Sequence, residues 1–288
     1  MHRARPDVSA VVVHFETPDV LARCLDALRA SAGVALEAIV VDNASPGFAI
    51  DQVERHFPGA RAIANQTNEG FAVAANQGLR VGRGRYLLLL NADTIVEPDT
   101  IAKLVAYLDE HPRVGCATAR LNLEDGSLDL ACRRLFPTPE RALYRMSMLS
   151  RLFPRSQTFA QYNLTYLPED RETEIDAPCG AFMMVRAEIR ESVGLLDERY
   201  FMYGEDLDWA YRIKRAGWKN VYYPEAVALH LKGASSAHNR PRSIRAFYEA
   251  MRIFYGQHYA SRYPRLLSWL IYRAIDVRER VELLAARA

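Results

Sequence analysis

The sequence predicts an α/β fold in which a mostly parallel sheet is flanked by helices on both faces and followed by a helical C-terminal extension. Three observations carry this expectation. Through the first half of the chain, short β-branched or leucine-rich runs alternate with segments of helical periodicity, the pattern of a parallel sheet covered on both sides. Half of the 288 residues are hydrophobic, enough for a sizeable core. From Ser243 onward no strand-like run remains, and arginines alternate with Phe247, Phe254, Tyr255, Leu266, Leu267, Trp269 and Ile271.

The elements follow in order. VSAVVVHF (8–15) reads as the first strand, after which Thr17 as N-cap and Pro18 at N1 start a helix through Leu21, Leu25 and Leu28. AIVVDNAS (38–45) is a second buried strand ending in polar residues, a helix covers about 50–57, and ARAIAN (60–65) is a short third strand. NEGFAVAANQGLRVG (68–82) turns at Gly70 into a helix of small residues. YLLLLNADT (86–94) is the most hydrophobic strand, and Pro98 at N1 opens the helix DTIAKLVAYLDEH. DGS at 125–127 suggests a hairpin, GAFMMVRAE (180–188) resumes as a strand, and NVYYPEAVALH (220–230) forms another that ends at His230. Between these last two lies GLLDERYFMYGEDLDWAYRIKRAGW (194–218), which places three acids at the start of a helix.

Composition narrows the function classes. The net charge is +2, but from Arg212 to the end there are 15 Lys/Arg against 5 Asp/Glu, so the earlier part is acidic and the two parts meet different partners. The segment 132–160 adds six arginines and one acid, interleaved with Leu143, Met146, Leu149 and Phe153. Mixed basic and apolar residues suit an anionic membrane surface, and equally a solvated loop over a helix packed on the core. Cys24, Cys116, Cys132 and Cys179 form no C-x-x-C pair, which fits reduced thiols in a cytoplasmic protein. The basic start MHRAR and the apolar run behind it lack a small-residue cleavage site, and no apolar stretch approaches the roughly 20 residues needed to span a bilayer. Any membrane contact is therefore expected to be peripheral. No motif accompanies the basic tail that would point to nucleic acid.

Chemistry-bearing residues cluster at strand ends, where open α/β sheets bind ligands. Asp42, Asn43, Asn91 and Asp93 all sit there. A carboxylate such as Asp93 at the mouth of a parallel sheet is a hard ligand for Mg2+ or Mn2+, while a hydrogen-bonded turn through Asn91 and Thr94 explains it as well. Asp42 suits a base N–H or a ribose hydroxyl, or an ordinary turn. His230 offers an imidazole to a metal or a plain hydrogen bond. Asp206, Ala210, Ile213 and Gly217 follow helical spacing, so Asp206 heads the inward stripe, where a carboxylate needs a partner or a task. Asp208, four residues before Arg212, reads as half of a surface ion pair. The first strand is followed by HFETPD and not by a glycine-rich turn, which excludes a dinucleotide-dependent oxidoreductase and disfavours a sugar-phosphate nucleotidyltransferase.

Taken together, VVVHF, VVDNAS, NEGFAVAANQG, LLLLNADT, GAFMMVR, LDERYFMYGEDLDWAYRIKRAGW and H-L-K-G-A-S occur in an order that resembles the family 2 glycosyltransferases, and within them the rhamnosyltransferase-like group, over residues 8–235. The resemblance implies a GT-A fold, with a Rossmann-like, mostly parallel sheet. Its glycosyltransferase domain would span 1–240, with a nucleotide-binding half to about 120 and an acceptor-binding half beyond it, and 241–288 would form a basic amphipathic helical region. It implies an inverting transfer from a dTDP- or UDP-linked sugar, with dTDP-rhamnose as the leading donor, to a glycan or lipid-linked oligosaccharide. It assigns Asp206, with Glu205 beside it, as the catalytic base, and Asp93 with His230 as metal ligands. Donor binding would fall to Phe15, Thr17, Asp42, Asn43, Asn68, Gly70, Phe71, Asn76, Asn91, Ala92 and Asp93. Acceptor binding would fall to Gly180, Ala181, Tyr203, Glu205 and Asp206. Asn91 departs from the family's D-x-D by replacing its first acid. The terminal helices would serve a membrane surface at the inner face of the cell membrane, or a homodimer. A noncatalytic binding module on the same fold is the alternative of a different class, and it would be expected to have lost Asp93 and Asp206.

Overall fold

The computed structural model describes residues 5–232 and 240–286; the basic start at 1–4 and residues 233–235 of the H-L-K-G-A-S motif lie outside them. In chain order the elements are β1 (Val8–His14), α1 (Pro18–Arg29), β2 (Leu36–Asp42), α2 (Ile50–His56), β3 (Arg61–Ala64), α3 (Phe71–Val81), β4 (Tyr86–Asn91), β5 (Thr94–Val96), α4 (Thr100–Glu110) and β6 (Val114–Asn122). There follow α5 (Pro139–Met146), α6 (Leu149–Leu152), β7 (Thr173–Ile175), β8 (Phe182–Arg186), α7 (Ile189–Ser192), α8 (Glu205–Arg215), β9 (Lys219–His230), α9 (Arg240–His258) and α10 (Arg265–Ala285).

One sheet runs in the order β3-β2-β1-β4-β8-β6-β9-β5, with β7 also on β9. The first four neighbours are parallel, as the alternation of strands and helices predicts. Beyond β4 the sheet is mixed: β8 runs antiparallel to both β4 and β6, and β9 is parallel to β6. Alternate residues of each strand point to opposite faces. Val8, Ala10, Val12, Leu88 and Leu90 face one apolar layer with Leu25 and Leu28 of α1 and Leu104 and Leu108 of α4. Val11, Leu87 and Leu89 face the other, with Ala75 and Leu79 of α3, Trp209 and Ile213 of α8, and Phe254 and Tyr255 of α9. Each fully buried side chain of this size contributes about 1.5–3 kcal/mol. The small residues of α3 let it lie close on the sheet, and at Gly78 a Cβ would collide with Val11.

Several local expectations change. Residues 86–94 are not one strand: β4 stops at Asn91 and the chain turns into β5, which pairs antiparallel with β9. Pro98 does not open α4, because the Glu97 N–H is held by Thr100 Oγ1 at 3.1 Å and Thr100 Oγ1 itself bonds Val227 O; the helix begins at Thr100. The turn at 125–127 is the expected hairpin, with Leu123 N–H on Ser127 O at 2.7 Å and Gly126 at φ +81°. Asp208 is not at the surface. It is fully buried between Arg212, 2.7 Å away, and His258 of α9 at 2.8 Å, since α9 covers the face of α8 that the spacing alone leaves open.

Candidate active site

Parallel pairing brings the carboxyl ends of β1, β2 and β4 level, with His14 opposite Asp42 and Val13 opposite Asn91. Asp42 is buried; one oxygen meets His14 Nδ1 at 2.7 Å and the other accepts the Ser45 N–H at 2.9 Å. His14 Nε2 accepts the Thr17 N–H at 3.1 Å, so the imidazole proton sits on Nδ1, toward Asp42. That contact bends the backbone at Thr17 to φ −133° and ψ 60°, and the threonine hydroxyl does not cap α1; it is buried with no hydrogen-bond partner. Phe15 lies half-buried in the same turn.

Asn43 behaves as a hub. Its amide donates to Asn68 Oδ1 and Gly70 O, and its carbonyl accepts from Asn65 Nδ2 and the Glu69 N–H, each at 3.1 Å. Asn68 Oδ1 also accepts the Gly70 N–H at 3.1 Å. Both asparagines therefore shape the 65–70 loop. Gly70, at φ +91°, lies so close to the 201 loop that a Cβ would come 2.6 Å from Phe201 O, and the Phe71 N–H bonds that same oxygen at 2.7 Å. Asn76 is not brought to this mouth. Five residues past Phe71 it faces away around the helix, and it braces α3 to Leu196 O at 2.9 Å and Glu198 at 3.0 Å.

Two consecutive residues join the halves of the site. Ala181 O accepts the Asn91 N–H at 3.1 Å and the Thr94 hydroxyl at 3.2 Å, while the Gly180 N–H donates to Asp206 Oδ2 at 3.0 Å. The segment 91–93, with Ala92 buried, and the head of α8 are thereby held across one peptide segment. A Cβ on Gly180 would lie 3.6 Å from Asp206 Cβ, and 3.8 Å from both Glu205 Oε1 and the Phe71 ring, so these four residues converge. Asp206 Oδ2 also meets Arg134 Nη2 at 2.6 Å, and Oδ1 accepts the Leu207 N–H at 2.7 Å. Glu205 is buried, and Oε2 has no hydrogen-bond partner. Burial, reinforced by the neighbouring Asp206 charge, pushes its carboxyl well above the usual range. Tyr203, at φ +70°, stands half-buried ahead of α8 with its ring edge-on to Phe247, centroids 6.0 Å apart.

Asp93 lies at the other end of the mouth, buried, with its backbone oxygen accepting the Leu231 N–H at 2.9 Å. His230 Nε2 stands 3.3 Å from Asp93 Oδ1, close but not aligned as a hydrogen bond, and that oxygen has no other partner. The opposite ring nitrogen, Nδ1, is held by buried Asp129 at 2.8 Å, which also receives Lys232 at 2.9 Å. Burial lowers the His230 pKa, but its two carboxylate partners outweigh this and raise it to about 9. Asp129, despite its own burial, is held well below the usual carboxylate range by His230 and Lys232. No group of three or more His, Cys, Asp or Glu side chains suited to a metal occurs among the described residues. An orphaned buried carboxylate oxygen facing an imidazole whose far nitrogen is fixed by a second carboxylate nevertheless fits an ion that takes few protein ligands, displaces the proton on Nε2 and completes its shell with water and phosphate.

Three residues here escaped the sequence reading. His14 was legible only as the last polar residue of its strand. Asp129 follows the hairpin with nothing to mark it, and Arg134 was one arginine among six in 132–160.

A model of the family described as glycosyltransferase like family 2 matches residues 6–248. The N-acetylglucosaminyl-diphospho-decaprenol L-rhamnosyltransferase of Mycobacterium tuberculosis is 24% identical over 279 residues, covering 93% of this chain and 90% of that protein. Rhamnosyltransferase WbbL of Escherichia coli K12 is 28% identical over 251 residues, covering 82% and 86%. Among solved structures, GalNAc-T7 with UDP, GalNAc and Mn2+ superposes with a TM-score of 0.61 at 18% identity, over 87% of this chain and 48% of that one. Staphylococcus aureus TarS gives 0.57 at 15% identity, over 86% and 38%. The chain thus spans half or less of these two structures, and the likeness to them is one of fold.

Proposed function

The chain belongs to glycosyltransferase family 2 and has the GT-A fold, and from that premise we propose that it moves L-rhamnose, from dTDP-rhamnose, onto a hydroxyl of a lipid-linked glycan during cell-surface polysaccharide synthesis, with inversion at the anomeric carbon. One observation carries the reading: Gly180 and Ala181 tie buried Asp206 to the mouth of the sheet where 91–93 end. The rhamnosyl donor and the lipid-linked acceptor are supported by what the relatives' names say of those proteins. With such an acceptor the enzyme works in the cytoplasm, at the inner face of the cell membrane.

In this reading Asp206 accepts the proton of the acceptor hydroxyl as its oxygen bonds to the anomeric carbon, and the bond from that carbon to the diphosphate oxygen breaks, its electron pair leaving with the nucleoside diphosphate. Arg134 and the Gly180 N–H hold Asp206 in place, and Glu205 beside it, its carboxyl pushed up by burial, holds its proton. Asp42, backed by His14, takes the base or ribose, with Phe15 and Phe71 as apolar walls. Asp93 and His230 would hold Mg2+ or Mn2+, with Asp129 orienting the imidazole. A bound ion would neutralise charge on the departing diphosphate.

A panel of nucleotide sugars, scored for thermal stabilisation and for hydrolysis with and without Mg2+ or Mn2+, tests the donor. dTDP-rhamnose should give the largest stabilisation, and chelation should abolish most turnover. Preference for a UDP-hexose would overturn the rhamnosyl assignment, and full activity in chelator would overturn the metal role.

A further inference from the structure

Helix α10 packs on α9 through Ser268, Ile275 and the partly buried Ile271 and Tyr272, and Asp276 and Glu279 turn toward Arg252 of α9 at 2.9 Å and at hydrogen-bond contact. Its other side is apolar and open. Leu266, Trp269, Leu270, Val277, Val281 and Leu284 are each about half exposed or more. At 100° per residue they fall within one stripe roughly 120° wide and about 27 Å long. Among the described residues the charged ones inside that stripe are Arg273 and Arg280; Arg273 lies 3.6 Å from Asp276 at the stripe's edge, and on the exposed flanks Arg265 and Arg278 face a single acid, Glu282. Arg273 stacks over Trp269, 5.8 Å from the ring centroid.

We propose that this face of α10 docks on an anionic lipid bilayer, its apolar stripe entering the headgroup region and its arginines meeting lipid phosphates. Charge decides between occupants. A second α10 packed along the stripe would bury Arg280, for which the stripe holds no acid, and would leave Arg273 with Asp276 alone, 3.6 Å away at the stripe's edge, a costly burial of cations. A bilayer lets both arginines reach up to phosphate while their stems and Trp269 stay in the interface. Tyr263, just before the helix, bonds Glu140 of α5 at 3.1 Å, and α5, α6 and the residue after it expose Leu143, Met146, Leu152 and Phe153 beside exposed Arg145 and Arg151. The inference does not depend on which sugar is moved.

Flotation of the full chain with vesicles of equal parts phosphatidylglycerol and phosphatidylcholine, compared with phosphatidylcholine alone, tests it without any turnover. The protein should float with the anionic vesicles at low salt, lose binding as salt rises, and remain behind with neutral ones. Arg273→Glu with Arg280→Glu, both on the open face, should weaken binding at least about tenfold, and Leu270→Ser with Val277→Ser should do the same while leaving the melting temperature unchanged. Absence of flotation at low salt, or undiminished binding by these variants, would overturn the proposal. So would a dimer in sedimentation that dissociates in Leu270→Ser, which would put a second copy on this face.

Discussion

Arg134 and Glu205 both act on Asp206, one supplying a cation at 2.6 Å and the other a neighbouring buried carboxyl. Removing the cation leaves the two acids side by side, with Tyr162, Cys179 and Cys132 as further titratable neighbours of the guanidinium. Arg134→Gln should therefore cost about 3 kcal/mol of stability and lower kcat by at least about tenfold. Arg134→Lys should recover part of both, and a parental kcat in Arg134→Gln would contradict the role. Glu205 carries a different signature. Unfolded, it ionises near pH 4.3; folded, burial and the Asp206 charge keep its proton on. The two states agree below that value and diverge above it, so Glu205 costs the folded state more stability as pH rises through neutrality. Glu205→Gln should raise the melting temperature at pH 8 and much less at pH 5, and an equal change at both would show that the carboxyl is ionised when folded. The phase of Asp206 made it legible in the sequence, because helical spacing points it inward. The same rule misplaced Asp208, since spacing within one helix cannot reveal that α9 adds His258 on its far side.

At the scale of elements, the strand ends were the most legible part of the site. Parallel strands bring their carboxyl ends together, so Asp42 and Asn91 had to fall near each other once both strands were recognised. The turns beyond them were not legible. Thr17 is bent by a histidine three residues earlier, and β5 leaves the line of β4 to pair with β9, more than a hundred residues later. The entry to α3 depends on Gly70, whose φ of +91° and ψ of 167° suit glycine alone and whose missing Cβ admits the 201 loop. Gly70→Ala should lose about 1–3 kcal/mol from backbone strain alone, with a further loss from displacing Phe201. Weaker donor binding should accompany the lower melting temperature, as the loop held by Asn43 moves. A variant as stable as the parent would show that the loop can shift freely.

Across the whole molecule, the parallel half of the sheet followed from the order of strands and helices, whereas the mixed half did not. The pairing of β8 between β4 and β6 joins segments about 70 to 100 residues apart, and no local pattern records it. That pairing is what completes the site, because it sets Gly180 and Ala181 between the ends of β4 and α8. Asp206 and Asp93 are thereby placed in one mouth, and in the proposed function the first acts on the acceptor and the second on the donor. Asp206→Asn keeps the shape and removes the base, so comparing its donor affinity with its turnover tests the account most directly. Donor binding within a few-fold of the parent, with turnover reduced by about 10²- to 10⁴-fold, is the predicted result; near-parental turnover would contradict it.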